Sequence, residues 1–153
     1  MSSPPIQPVL VRRAGLYERV GSAIFALGLL GVLATAAFLD PDSKGHGTHE
    51  QLGMPACGWV TAFDKPCMTC GMTTAFSHAA DMDLATSFLT QPMGALFAVL
   101  AAALIWPLAH IAVTGSTLLE DLSGLARPKA VWGGFVLLLA AWAYKVATWN
   151  SPV

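Results

Sequence analysis

Hydrophobic and polar positions along this chain neither alternate nor repeat at the helical period; they come in blocks. Residues 20–39 carry no charge, residues 93–119 hold His110 as their one ionisable side chain, and residues 130–149 hold Lys145 as their one charged side chain. Wound as a helix, each block crosses about 30 Å of hydrocarbon, whereas a soluble helix would turn a polar face outward. The pattern predicts an all-α integral membrane protein with three transmembrane helices. Between the first and second lies a polar segment, 40–92, read as a small cysteine-containing subdomain of short helices. A tail at 1–19, a link at 120–129 and a tail at 150–153 complete the organisation.

Composition strengthens that reading. Of 153 residues, 55% are hydrophobic and 11% charged, with a mean hydropathy of +0.60, which is the balance of a bilayer-embedded chain. A net charge of −1 and a pI near 6.4 leave no basic footprint for nucleic acid, so that class of partner is excluded. Charge position adds orientation. Arg12, Arg13 and Arg19 precede the first block and Arg127 and Lys129 follow the second, while the 40–91 segment sets Lys44 and Lys65 against Asp40, Asp42, Glu50, Asp64, Asp81 and Asp83. The positive-inside rule then places the N-terminus in the cytoplasm and the cysteine segment and C-terminus outside, in a cell (inner) membrane. On this topology Lys145 snorkels to the outer interface beside Trp142, Tyr144 and Trp149.

The first block ends in Ala34-Thr35-Ala36, an A-x-A-like cleavage pattern. A signal h-region runs about 7–15 residues, however, and the greater length of 20–39 favours an uncleaved anchor. Arg12-Arg13 superficially suggests twin-arginine export, but its flanks, Val11 and Ala14-Gly15, favour simple topogenic charge. Three prolines in the first eight positions disfavour a helix in the N-terminal tail.

Within 40–92, turn formers dominate from Asp40 to His49, which reads as a loop. Residues 73–80 read as a short helix with Phe76 and Ala80 on one side. Asp81 or Asp83 would cap a second, 84–89, ended by Gln91-Pro92. Phe76, Leu84, Phe88 and Leu89 would face lipid or the helix ends.

All three cysteines of the chain fall in this segment: Cys57, then Cys67-Met68-Thr69-Cys70. A Cys-x-x-Cys brings two sulfurs within reach of each other or of one metal ion, leaving disulfide exchange, metal ligation or a structural staple. The block Cys67-Met68-Thr69-Cys70-Gly71-Met72-Thr73-Thr74-Ala75-Phe76, with Cys57 before it and Asp83, Ala85 and Pro92 after it, resembles a bacterial membrane-protein family called domain of unknown function 2752. That family's pattern is a first Cys, a Cys-Pro-x-Cys-Gly-x-Thr-Arg block, a Gly-Asp turn and an Asn-Pro before a membrane helix. Here Met68 stands in place of Pro, Thr74 of Arg, Met82 of Gly and Gln91 of Asn. The resemblance, over about residues 57–100, implies architecture and no established activity.

The chemistry of the thiols has three readings. If Cys70-Gly71 opens a helix, its sulfur faces unpaired N–H groups and its pKa falls. An oxidising outer compartment favours a disulfide, which leaves one of three thiols over. A metal site uses all three: Cys57, Cys67 and Cys70 with His78, or with His46 or His49 as alternative fourth ligand, would suit zinc or copper. Taken singly, His46 and His49 read as solvated loop residues. A thiol–disulfide oxidoreductase would exchange at Cys67 and Cys70 with Cys57 resolving, but needs an electron acceptor and an onward cysteine pair that this chain lacks. Haem-attachment, phosphate-loop and hydrolase motifs are also missing from the sequence.

His110, three residues after Pro107, reads as a neutral imidazole bonded to a neighbouring helix or to the carbonyl that proline frees, ahead of a ligand or proton relay. Ser22, Ala26, Ala98, Ala102, Gly133 and Gly134 permit close helix approach within the chain or between subunits. The expected function is a non-catalytic accessory or binding module in the lipid bilayer, within a membrane-protein complex or a homo-oligomer, with oxidoreductase as the alternative.

Overall fold

A computed structural model describes residues 13–117 and 128–149. Most of the expected 1–19 tail and 120–129 link, with Arg12 and Arg127, and all of the 150–153 tail lie outside the described residues. The described residues are helical and contain no strand. In chain order they form α1 (Leu16–Ala37), a 3-10 turn (Thr48–Leu52), α2 (Gly58–Phe63), α3 (Met72–Ala80), α4 (Leu84–Thr90), α5 (Pro92–Thr114) and α6 (Pro128–Ala147). α1, α5 and α6 are long and apolar enough to cross a membrane.

α1 and α5 form an antiparallel pair. Ser22, Ala26 and Ala36 of α1 and Ala98, Ala101, Leu108 and Ile111 of α5 are buried, so small side chains let the two backbones approach. Of the other small residues in the spans, Ala102 is exposed, and a Cβ added at Gly133 or Gly134 would meet nothing. Those two glycines pack against no other part of the described chain. The pair is clamped at the end remote from the cysteines. Arg19 Nε and Nη2 donate to the carbonyls of Ala112 and Val113 at 3.0 and 2.9 Å, and Ala14 N–H donates to Gly115 O at 2.8 Å. These bonds satisfy carbonyls that a helix end leaves open. Gly115, at φ +70, stops α5 at Thr114, short of the end of the 93–119 block.

Two short helices, α3 and α4, cover the other end of the pair. Gly94 of α5 has no side chain because Ala75 of α3 sits on it; a Cβ there would lie 2.9 Å from that of Ala75. Ser87 Oγ of α4 donates to Ala75 O at 2.6 Å, and Ser77 Oγ of α3 donates to Leu39 O just beyond α1. Asp83 is the cap of α4, accepting from Thr86 N–H at 3.0 Å. Gln91 caps α5 and is fully buried, its Oε1 accepting from Met93 N–H at 3.1 Å and its Nε2 donating to Met68 O at 3.3 Å. Leu84, Phe88 and Leu89 are exposed apolar residues and Phe76 is half-buried.

α6 is joined to this cap by one group of side chains. Trp142 Nε1 donates to Pro66 O at 3.2 Å and Tyr144 OH to Leu89 O at 3.0 Å. Lys145 Nζ donates to both Gly45 O and Thr90 O at 3.0 Å. Instead of reaching to the interface, Lys145 is only 7% exposed, because the cap supplies carbonyls close enough to replace water around the ammonium. His110 also departs from expectation: its ring is exposed and makes no hydrogen bond among the described residues, while its carbonyl accepts from Thr114 Oγ1 at 2.7 Å.

Candidate functional site

The Cys-x-x-Cys is a turn closed by its own backbone, with Cys70 N–H donating to Cys67 O at 3.1 Å and Met72 N–H to Thr69 O at 3.1 Å. Gly71 follows at φ +82 and starts α3. A side chain is excluded there, since a Cβ would lie 2.5 Å from Gly45 O and 3.1 Å from Lys145 Nζ. The loop before the 3-10 turn is thereby laid against the cysteine turn, with the Lys145 ammonium wedged between Gly45 and Gly71. A second tie is buried: Thr48 Oγ1 shares a hydrogen bond with Thr74 Oγ1 at 2.8 Å and accepts from Asp42 N–H at 2.9 Å. Thr74 thus acts as a neutral hydroxyl link.

These ties enclose a cavity of about 630 Å³ lined by all three cysteines, and by His46 and His49 from the loop. Val60 and Thr61 of α2, with Asp64 just beyond that helix, line it too. His78 does not line it; it lies at the end of α3, near Asp83, whose N–H donates to His78 O at 2.9 Å. His46 lies on the Trp149 ring, centroids 4.8 Å apart. Among the described residues no three His, Cys, Asp or Glu side chains stand close enough together to hold a metal ion.

The three sulfurs differ in environment. Cys57, at the N-cap of α2, has its thiol pKa held below the ordinary value, first by the Val60 N–H, then by that of Trp59 and by the Cys67 thiol, against the opposing effect of burial. Neither N–H completes a cap hydrogen bond of ordinary geometry. Cys67 Sγ lies 3.5 Å from Thr69 Oγ1. Cys70 is buried, and burial pushes its thiol up to about 11, with the Cys67 sulfur adding to the effect and the Lys145 ammonium opposing it. The expected acidification at a helix start is therefore seen at Cys57 and reversed at Cys70. At Cys70, loss of water on burial is the dominant effect. All three cysteines are free thiols.

Sequence reasoning missed Lys145, Gly45, Gly71 and the Thr48–Thr74 link as parts of the site. The one available signal was a lone lysine near the end of an apolar block, which is equally the mark of a snorkelling residue.

Residues 57–105 match the model of a family described as protein of unknown function DUF2752, which bears out the resemblance carried by the cysteine block. No curated protein and no solved structure matches the chain.

Proposed function

We propose, starting from the match of residues 57–105 to the DUF2752 family, that the protein is a non-catalytic accessory or binding module of a bacterial cell membrane. Its cysteine segment faces outward, and its three-cysteine motif holds structure. The staple is a disulfide between Cys57 and Cys67, with Cys70 kept as a buried thiol. The observation that carries this reading is that Cys57 and Cys67, both partly exposed, line one cavity while Cys70 is buried. An oxidant of the outer compartment takes two electrons from the pair, and two protons leave to solvent.

Two observations weigh against exchange at Cys67 and Cys70. Cys70 is buried and its thiol is pushed up to about 11, which leaves little thiolate at neutral pH. The sequence also has no second pair to carry electrons onward. A metal reading would use Cys57, Cys67 and Cys70 with His49, which shares their cavity, in place of His78. It requires the sulfurs to draw closer than they stand.

Thiol counting and elemental analysis on protein purified without reductant decide the matter. The expected result is no stoichiometric metal, a peptide pair linked through Cys57 and Cys67, and one thiol that appears only on denaturation. One zinc or copper per chain with all three thiols blocked would replace the staple by a metal site. A mixed disulfide through Cys67 in Cys70→Ser would instead establish the oxidoreductase.

A further inference from the structure

α2 has two faces that do different things. Val60 and Thr61, with Asp64 just beyond the helix, turn toward the cysteine cavity. Trp59 and Phe63, one helical turn apart with ring centroids 4.9 Å from each other, turn the other way and are 52% and 62% exposed. Between these rings and α6 runs an apolar groove of about 590 Å³, walled by Trp59 and Phe63 on one side and Trp142, Val146 and Ala147 on the other, with Lys65 at its rim.

The depth of the groove follows from α6. That helix has 20 residues, which at about 1.5 Å per residue just crosses the hydrocarbon, so its last two turns lie at a membrane–water interface. α2 is therefore level with the leaflet on the cysteine side. The groove also continues along α6: Phe135, Leu139, Trp142 and Val146 follow helical spacing on one face and are all exposed. Such a stripe on a spanning helix is covered by acyl chains, and the groove is its upper end. Paired aromatics at that level beside an exposed lysine match the interfacial belt, where rings sit among glycerol groups and an ammonium meets phosphate.

We propose that this groove seats one phospholipid of the cysteine-side leaflet, its acyl chain along the α6 stripe and its phosphate at Lys65, so that lipid fixes the wall that carries Cys57. This rests on α6 being a span but is independent of the Cys57–Cys67 staple.

The test is tryptophan fluorescence of the full chain reconstituted in phosphatidylglycerol/phosphatidylcholine vesicles with bromines near the top of the acyl chains. Bromine quenching is expected to fall when Trp59 is replaced by Phe, and to fall again, by a separate amount, for Trp132→Phe, which reports α6. Loss for Trp132 alone overturns the lipid site while leaving the span intact; loss for neither overturns both. Should Trp59→Phe fail to fold, native mass spectrometry from detergent replaces it. The parent retains one phospholipid per chain and Lys65→Gln loses it at least severalfold, whereas equal retention overturns the site.

Discussion

Cys57 and Cys70 differ in acidity because the backbone delivers them to different surroundings. The Cys57 thiol is partly exposed beside N–H groups at the start of α2, while Cys70 is buried, with the Lys145 ammonium near enough to act on its thiol. Reduced protein should thus react with iodoacetamide at about pH 8 first at Cys57 and last at Cys70, read by mass spectrometry of the three peptides. The same difference sets a pH dependence. Cys70 keeps its proton in the folded chain above its ordinary value of 9.0 and up to about 11, whereas the unfolded chain releases it earlier. Stability of the reduced protein is flat below about pH 9 from this group and declines as pH rises toward 11. Cys70→Ala should remove that decline, as followed by the thermal midpoint across the alkaline range.

At the scale of elements, the docking of α6 depends on polar side chains reaching backbone carbonyls, since much of its apolar surface is exposed. Lys145 is central, because its ammonium bonds to both the Gly45 loop and the end of α4. Burying an ammonium is costly, and its removal recovers part of that cost. The two carbonyls left without a donor outweigh it, each costing about 1–3 kcal/mol when buried and unmet. Lys145→Met should therefore lower stability by about 1–3 kcal/mol net in detergent denaturation. An unchanged midpoint would mean that water replaces the ammonium at no loss. The caps behave more locally: Asp83 holds the start of α4 and was foreseeable as an acid just before an apolar run.

For the molecule as a whole, the clamp of Arg19 on the last carbonyls of α5 and the cysteine cap lie at opposite ends of the α1–α5 pair. Three helices are long and apolar enough to cross a membrane, and as spans they would set these ends on opposite faces. With positive charge gathered at the Arg13 and Arg19 end, a thiol reagent unable to cross membranes is expected to label Cys57 in reduced, intact cells from outside, and not from inside in inverted vesicles. Labelling only in inverted vesicles would reverse the orientation and remove the oxidising compartment on which the staple depends.

The sequence by itself determined the helical class, the apolar blocks and the clustering of cysteines between two of them. These features depend on runs of neighbouring residues, and so does the cap of α4, which the sequence narrowed to Asp81 or Asp83 and the structure places at Asp83. How each thiol is solvated was decided by tertiary structure. Cys-x-x-Cys spacing treats Cys67 and Cys70 alike, but the fold buries Cys70 and leaves Cys57 and Cys67 partly exposed. Likewise, His78 on α3 and His49 on the loop are equivalent as candidate ligands until folding places one outside the cavity and the other on its wall. The role of Lys145 depends on Gly45, Gly71 and Thr90 converging from three segments. A side chain's solvation is fixed by atoms far along the chain, and no local pattern records where those atoms will be.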